Sequence, residues 1–366
     1  MKIAHISDIH IKSSHEQHEA TKRGFENLFK KIEETKPDYI VISGDVIHNK
    51  LSITGELVDM IFWFLKELKN HSNNVPIDIL LGNHDYNVRN LNRKDIFSVL
   101  QRQKKLPEGI TIIKDEMTID YLDNFSFHYL PNHLKTIEQP DDPSKINILV
   151  YHGQVLNSVA ENGFKFPTGT FSVNDFKNYD YGLLGDIHKK QFLTDKIAYA
   201  GSLFQQDFGE TLKKGFLLWD IKSKDDFEVK FVQVQAGCNY YTLKYKDDGL
   251  CIEHNINENS KVRVMSKEPL TIKDKEEIIS LLKDKTNDVQ FLVETSSDGV
   301  KLDLKKSLDN LTNNDAQRRL IKEYCTNNGI DSNEILKTFE DILKEVDVSK
   351  IPTCANWNLE KLNFDN

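Results

Sequence analysis

Polar side chains with metal-binding chemistry follow five short apolar segments in the first 190 residues of the chain. The five motifs are Asp8-Ile9-His10, Gly44-Asp45, Gly82-Asn83-His84-Asp85, His152-Gly153 and Gly185-Asp186-Ile187-His188. Carboxylate, imidazole and carboxamide groups without thiolates suit Mn²⁺, Fe²⁺, Mg²⁺ or Zn²⁺. The residue types therefore predict a site for divalent cations.

The number of candidate ligands indicates two metal ions rather than one. The candidates are Asp8, His10, Asp45, Asn83, His152, Asp186 and His188. Two ions about 3.5–4 Å apart would bridge a phosphoryl group and generate a hydroxide nucleophile at neutral pH. Each motif alone also has a structural explanation, because Gly-Asp and Gly-Asn pairs are common in turns. The combination of five motifs favours the metal site.

The apolar segments that precede these motifs predict strands buried on both faces. They cover residues 3–6, 39–42, 77–81, 146–151 and 179–184. Residues 20–35 and 55–69 have apolar positions at helical spacing between them. This alternation predicts an α/β sandwich, in which the carboxyl ends of strands bind ligands.

The pattern changes after residue 196, where further strands are expected to complete a first domain over residues 1–236. Residues 237–300 combine short strands with one helical segment and predict a small α+β domain. Residues 301–366 are charged and have apolar positions at helical spacing, which predicts a helical segment.

Composition excludes several classes of protein. The chain has 366 residues, of which 39% are hydrophobic and 29% charged, and it has no apolar run of membrane-spanning length. Its four cysteines are scattered, which argues against a zinc ribbon and a disulfide framework, and no signal peptide is evident, so we expect an intracellular, cytoplasmic protein. A net charge of −9 means that nucleic acid would have to be bound by metal ions or a local basic patch.

At the five motifs the sequence resembles the calcineurin-like metallophosphoesterases. Within that superfamily it is most similar to the SbcD-type DNA break-repair nucleases, including their phage recombination-endonuclease counterparts. Three features carry this narrower resemblance: His48, the stretch Ala200-Gly201-Ser202-Leu203, and Phe208-Gly209-Glu210. The resemblance covers residues 1–235 and implies a β-sandwich flanked by helices, with a capping domain and a helical carboxyl-terminal segment.

The resemblance also implies a division of the ligands. Asp8, His10 and His188 would hold one ion, and Asn83, His152 and Asp186 would hold the other. Asp45 would bridge both ions, with Mn²⁺ as the expected metal and Mg²⁺ as an alternative.

Two further histidines are expected to act on the substrate rather than on the metals. The resemblance implies that His84 faces the phosphate and stabilises the transition state or protonates the leaving oxygen, with Asp85 orienting it. A catalytic imidazole must be free to carry a proton, which a metal-bound nitrogen cannot do. His48 would be a second phosphate-facing imidazole; it is also explained as an ordinary histidine at a strand end.

The function implied is that of a two-metal DNA exo- and endonuclease that hydrolyses phosphodiesters in DNA repair or recombination. Its partners would be DNA and an SMC-like coiled-coil ATPase of the SbcC type, bound through the carboxyl-terminal helices, which could equally pack on the second domain. A homodimer would form through helices near residues 55–100. A local positive rim for DNA would come from Arg89, Arg93, Lys189 and Lys190, each of which is also explained as a solvated surface residue.

Two other functions remain open from the sequence. One is a phosphodiesterase or phosphatase for a small molecule or phosphoprotein. The residues beyond the catalytic domain argue against it, because such an enzyme does not need them. The other is a weakly active architectural subunit that organises the ATPase and DNA ends. Asp186 keeps the second alternative open, because the family pattern has a histidine at this position.

We expect Asp186→His to retain metal binding and to change which divalent ion supports activity. The aspartate adds negative charge beside a phosphoryl group that is itself negative, and a carboxylate favours harder ions than an imidazole does. A nuclease assay across Mg²⁺, Mn²⁺ and Zn²⁺ measures this change. An unaltered metal preference would show that Asp186 is not a ligand.

Overall fold

The computed structural model describes residues 1–246, 249–252, 255–286 and 288–294, together with helical positions 318, 322, 332, 333 and 335–337. The chain divides into two compact units, Met1–Glu294 and Thr295–Asn366. Apart from the isolated helical positions, the helical segment predicted over residues 301–366 lies outside the described residues.

The described residues of the first unit form sixteen strands and four α-helices. The strands are β1 (Lys2–Ile6), β2 (Tyr39–Ser43), β3 (Ile77–Leu80), β4 (Ile110–Ile113), β5 (Met117–Tyr121), β6 (Phe125–Leu130), β7 (Ile146–His152), β8 (Tyr181–Gly185), β9 (Gln191–Phe192), β10 (Ile197–Tyr199), β11 (Gly215–Ile221), β12 (Phe227–Gln233), β13 (Tyr240–Lys246), β14 (Gly249–Cys251), β15 (Lys261–Ser266) and β16 (Asp288–Val293). The helices are α1 (His15–Thr35), α2 (Gly55–His71), α3 (Ile96–Arg102) and α4 (Ile272–Leu282).

Two six-stranded sheets form the sandwich. The first has the order β12-β11-β1-β2-β3-β4, with β1 to β4 parallel and β11 and β12 antiparallel. The second has the order β5-β6-β7-β8-β10-β9, with β6, β7, β8 and β10 parallel. Because the inner strands are parallel, their carboxyl ends meet at one edge of each sheet.

Three apolar layers hold the sandwich together. Helices α1 and α2 cover the outer face of the first sheet, and the rings of Phe25 and Phe64 lie 4.3 Å apart between them. Aromatic and branched side chains such as Trp219, Tyr181 and Ile148 fill the space between the two sheets. The chain that follows β7 covers the outer face of the second sheet, where Phe171 and Phe176 pack on Tyr151. Both faces of the inner strands are therefore buried.

The helix ends follow local chemistry. Helix α1 ends at Thr35, where Lys36 adopts a left-handed conformation and Pro37 cannot continue the helical hydrogen bonding. Helix α2 begins after Thr54, whose side chain accepts a hydrogen bond from the N–H of Leu57.

A third sheet of four strands, β14-β13-β15-β16, lies in the residues predicted to form the small α+β domain. It has its own apolar core, in which Tyr241, Val262 and Val264 pack against Ile278 and Leu282 of α4. The domain boundaries at residues 236/237 and 300/301 stay predictions.

The α/β fold class predicted from the sequence is confirmed, and strands occur at all five apolar segments before the motifs. Strands β4, β5 and β6 and helix α3 were not predicted. Strand β5 lies at a sheet edge with Met117 and Thr118 exposed, so it lacks the continuous apolar run of the inner strands. Helix α3 has only seven residues, too few to show a helical period. Among the described helices, none is sufficiently long and apolar to span a membrane.

Candidate metal centre

The five motifs meet where the carboxyl ends of β1, β2 and β3 face those of β7 and β8. Backbone hydrogen bonds join the loops, from the N–H of Asp8 to the Gly44 carbonyl at 3.1 Å and from the N–H of Gly153 to the Gly185 carbonyl at 3.1 Å. The His152 ring joins the two sheets, since its Nδ1 lies 2.7 Å from the Ser43 carbonyl oxygen. The tight turns after the strands direct the polar side chains into one buried pocket.

Four of the predicted ligands have a left-handed backbone. Their φ values are 51° for Asp8, 52° for His10, 54° for Asp45 and 95° for Asp186. Positive φ is uncommon for residues with a Cβ, and such strain persists only where the surrounding structure imposes it. The fold therefore holds these side chains in position at a cost in backbone energy.

One group of donor atoms contains Asp8, His10 and His188. The Nε2 atoms of the two histidines lie 3.0 Å apart, and each is 3.9 Å from Asp8 Oδ1. Asp45 Oδ2 is 3.8 Å from His10 Nε2. These are the four residues predicted to hold one ion.

A second group of donor atoms surrounds His152 Nε2. Asn83 Oδ1 lies 3.0 Å from it, Asp45 Oδ1 3.3 Å and Asp186 Oδ1 3.8 Å. Asp45 thus directs one carboxylate oxygen to each group, which is the arrangement a bridging ligand needs. The assignment of each residue as a ligand stays a prediction.

The donor atoms fit divalent cations on two observations. Asp8 Oδ1 is buried and has no hydrogen-bond partner among the described residues. Burial raises the pKa of Asp8, and burial also raises the pKa of Asp186 to about 6, although the nearby imidazoles of His152 and His188 lower both pKa values. Burial lowers the pKa of His10 and keeps its ring neutral, as a ligand must be. Cations between the two groups would compensate this buried negative charge.

Hydrogen bonds on the remote ring nitrogens direct two imidazoles toward the pocket. His152 uses Nδ1 on the Ser43 carbonyl, and His188 uses Nδ1 on Glu210 Oε1 at 2.6 Å, so Nε2 of each ring faces the other donors. Burial would lower the pKa of His188, but the bond to Glu210 and the charge of Asp8 outweigh it and raise the pKa to about 9. A divalent cation at Nε2 would therefore have to displace a proton from this ring. Partners of this kind fix the orientation of metal-binding histidines.

Glu210 belongs to a buried ionic network that the sequence did not predict. Lys214 Nζ lies 2.9 Å from Glu210 Oε2 and 2.6 Å from Glu161 Oε1, and the side chains of Lys214 and Glu210 are each only 5% exposed. Ser202 Oγ also donates to Glu210 Oε2, at 3.1 Å. The Phe208-Gly209-Glu210 motif indicated the position, but no pattern in the sequence connected Glu210 with His188.

The histidines predicted to face the substrate lie beside the first group. The ring centroids of His84 and His48 are 4.9 Å and 5.6 Å from that of His10. His48 is exposed, and its carbonyl oxygen lies 2.6 Å from His84 Nδ1. His84 also offers a nitrogen within 4.8 Å of donor atoms of His10 and Asp45, so its position alone permits metal binding.

Asp85 contacts backbone amides rather than the His84 ring, and its predicted part in orienting His84 stays a prediction. Its buried carboxylate accepts hydrogen bonds from the backbone N–H groups of Gly82, Val46 and Ile47 at 2.9–3.2 Å. The His48 carbonyl, instead of Asp85, holds the ring of His84. Asp85 lies in the turn after β3, and its carboxylate satisfies one buried amide of that turn and two of the loop after β2.

The residues predicted to form a basic rim lie on two loops that also carry candidate ligands, and the rim itself stays a prediction. Lys189 and the exposed Lys190 follow His188, and Lys190 Nζ is 4.0 Å from the centroid of the Phe231 ring. Arg89 and Arg93 are exposed on the loop between β3 and α3. Lys50, which the sequence did not single out, is nearer to the donors because its Nζ donates to the Asn83 carbonyl.

Comparison with protein families identifies the class of this chain. The model of the calcineurin-like phosphoesterase family matches residues 1–209. The chain therefore belongs to the calcineurin-like phosphoesterases, which are hydrolases that bind divalent metals. The resemblance at the five motifs is confirmed.

Individual relatives come from viruses and archaea. An uncharacterized protein of Acanthamoeba polyphaga mimivirus is 30% identical over 405 residues, covering 100% of this chain and 28% of that protein. The DNA double-strand break repair protein Mre11 of Archaeoglobus fulgidus is 24% identical over 296 residues, covering 68% of this chain and 62% of that protein. The Mre11 protein of Methanococcus maripaludis is 23% identical, covering 94% and 95%. The chain thus spans less than two thirds of the length of the first two relatives.

We expect Gly82→Ala to abolish tight Mn²⁺ binding. A Cβ on Gly82 would lie 2.1 Å from Asp45 Oδ1 and 2.7 Å from His152 Nε2, so both donor groups would have to move. Gly55→Ala is the matched control, because nothing lies within 4 Å of a Cβ there. Titration calorimetry with Mn²⁺ measures the effect, and equal affinities for the two variants would contradict the geometry of the site.

We expect Glu210→Gln to weaken Mn²⁺ binding by about 10- to 100-fold, as losses of groups that orient ligands do. The amide keeps the shape of the side chain but removes the charge that lies 2.6 Å from His188 Nδ1. Glu228→Gln, at an exposed position on β12, is the control. If both variants bind Mn²⁺ as the unmodified chain does, Glu210 has no part in positioning His188.

Proposed function

We propose that this chain is a metal-dependent phosphodiesterase acting on DNA, the nuclease subunit of an ATPase–nuclease complex in DNA repair or recombination. The observation that carries the proposal is the arrangement of two donor groups about Asp45, with His84 and His48 beside one of them. Two ion sites next to free imidazoles are suited to phosphoryl transfer, which needs charge neutralisation and a proton donor.

The ions would be held by Asp8, His10, His188 and Asp45 in one position, and by Asn83, His152, Asp186 and Asp45 in the other. Bound divalent cations would stabilise negative charge on the phosphoryl oxygens and lower the pKa of water. Mn²⁺ is the proposed ion.

His84 would place its imidazole against the phosphate and protonate the leaving oxygen. Its Nδ1 is occupied by the His48 carbonyl, which leaves Nε2 for the substrate. The exposed ring of His48 would contact the same phosphate from the solvent side.

DNA is the proposed substrate for two reasons. Relatives named as DNA double-strand break repair proteins align with most of this chain. Next to His188, a cavity of about 240 Å³ is lined by Lys189, Lys190 and Lys213, whose cations suit a phosphate backbone. Arg89 and Arg93 would extend this contact along the duplex.

The proposed partner is an SMC-like coiled-coil ATPase of the SbcC type, bound through residues 301–366. A homodimer through the region of residues 55–100 is also proposed, and the exposed apolar side chains of Leu51, Ile53 and Leu91 lie in or near that region. The intracellular location stays a prediction from the scattered cysteines.

We expect His84→Ala to lower kcat on a labelled duplex with Mn²⁺ by about 10²- to 10⁴-fold, the usual effect of losing a general acid. Because His84 is not proposed as a ligand, Mn²⁺ affinity should stay unchanged. His71→Ala, at the partly exposed end of α2, is the control.

Other outcomes would contradict the proposal in different ways. Weaker Mn²⁺ binding by His84→Ala would make His84 a ligand. Hydrolysis of p-nitrophenyl phosphate without DNA cleavage would indicate a small-molecule phosphatase. Absence of hydrolysis with every divalent metal, together with tight ATPase binding, would indicate an architectural subunit.

A further inference from the structure

A cavity of about 330 Å³ lies beside the candidate metal centre, and the five motifs do not account for it. It lies between α1, the chain around Gln205 and the beginning of β13, and we call it the α1 cavity. The lining residues that matter here are His10, Lys12, Arg23, Gln205, Tyr240 and Lys261. Because His10 is also a predicted metal ligand, the cavity and the candidate metal centre share one residue.

The backbone of Tyr240 is held in a fixed place relative to that centre. Gln205, which is only 5% exposed, accepts the N–H of Tyr240 at 3.0 Å and donates to the carbonyl oxygens of Tyr240 at 3.2 Å and Glu210 at 2.8 Å. Glu210 in turn holds the ring of His188. A continuous set of contacts therefore joins Tyr240, the aromatic wall of the α1 cavity, to the predicted metal ligand His188.

Cations surround this aromatic wall. Lys12 Nζ donates to the Tyr240 hydroxyl at 3.0 Å and lies 5.5 Å from the ring centroid, and Lys261 Nζ lies 5.8 Å from it. The ring of Phe208 is 5.2 Å from that of Tyr240, and the Arg263 guanidinium lies 4.8 Å from the Phe208 centroid. Aromatic faces with adjacent lysines and arginines are the features that bind single-stranded nucleic acid.

The net charge of the lining also suits a phosphate. Among the described residues that line the cavity, Lys12, Arg23 and Lys261 are accompanied by two acidic residues, Glu19 and Asp288. Asp288 lies 3.5 Å from Lys261 Nζ in a pair that is partly exposed. A phosphate could therefore bind beside Lys12 without separating Asp288 from Lys261.

The backbone around the α1 cavity is closely packed. A Cβ on Gly237 would lie 1.9 Å from the carbonyl oxygen of Ala20, so the chain leading to β13 packs directly on α1. Asn27 Nδ2 donates to the Gln235 carbonyl at 3.0 Å across the same contact. The cavity is therefore formed before any ligand arrives.

We propose that the α1 cavity binds one unpaired nucleotide of the DNA strand, next to the phosphate that lies at the metal centre. This inference rests on the proposed function. The cavity is at the small end of the range for ligand sites, about 300–1,000 Å³, which is suitable for one nucleotide. The base lies against Tyr240 and its phosphate against Lys12. A base enclosed by the cavity is separated from its pairing partner, so the strand end unpairs on binding, at a cost in free energy.

Binding of an oligonucleotide that carries 2-aminopurine tests this inference. The probe is a duplex with 2-aminopurine as one unpaired terminal nucleotide, and the reference has the same base paired. Full-length chain is titrated in the presence of chelator, so that no hydrolysis occurs. We expect fluorescence quenching and tighter binding with the unpaired probe.

Substitutions identify the contacts. Tyr240→Ala should weaken binding of the unpaired probe by about 5- to 150-fold, the range for loss of one base–aromatic stack, and Tyr240→Phe should retain the quenching. Lys12→Ala should lower the salt dependence of binding by about one phosphate contact. Lys222→Ala, an exposed lysine on the chain between β11 and β12, should have no effect. Unchanged Mn²⁺ affinity of Tyr240→Ala shows that the variant is folded.

The inference is overturned if paired and unpaired probes bind and quench equally, or if Tyr240→Ala binds the unpaired probe as the unmodified chain does. Because the titration contains no metal, its result is separate from the nuclease assay. If the chain cleaves DNA but binds the paired and unpaired probes equally, only the proposed nucleotide binding at the α1 cavity is refuted. A chain that binds the unpaired base but cleaves no DNA with any divalent metal refutes the proposed nuclease function.

Discussion

The carboxylate of Asp45 is buried where the carboxyl ends of the two sheets meet, and it lies close to two other carboxylates, the buried Asp8 and the partly buried Asp186. Asp45 is only 2% exposed, yet its two oxygens point to different imidazoles, Oδ2 to His10 and Oδ1 to His152. Burying negative charge is costly unless positive charge compensates it. The site is therefore arranged to bind cations, and the packing around it follows from keeping these donors in place.

Close backbone packing is the first consequence. A Cβ on Gly44, Gly82 or Gly185 would lie 2.1 Å, 2.7 Å or 2.9 Å from a ring nitrogen of His152. Three loops from both sheets thus enclose one imidazole without room for a side chain. Such packing holds the donors close to their working geometry, which reduces the rearrangement needed when a ligand binds. It also explains why the polar motifs contain glycine beside the donor residues.

Charged and amide side chains then connect the centre with its surroundings. Glu210 orients His188, and Lys214 neutralises Glu210 in a place where neither side chain reaches bulk water. Gln205 extends the same set of contacts to Tyr240 at the start of the small sheet. The candidate metal centre and the α1 cavity are therefore joined by shared contacts.

The types of the donor residues and their positions at strand ends were evident from the sequence, because a buried strand followed by a polar turn is a local pattern. The small sheet was likewise predicted in part, from the short strands and the helical segment within residues 237–300. Only the tertiary structure decided which oxygen of Asp45 faces which imidazole, that Asp85 binds backbone amides, and that Glu210 holds His188. Other contacts of the same centre join residues that are far apart in the chain. His10 and His188, whose Nε2 atoms lie 3.0 Å apart, are separated by 178 positions. No period or motif in a single sequence encodes such a distance, so the packing of the two sheets alone determines it.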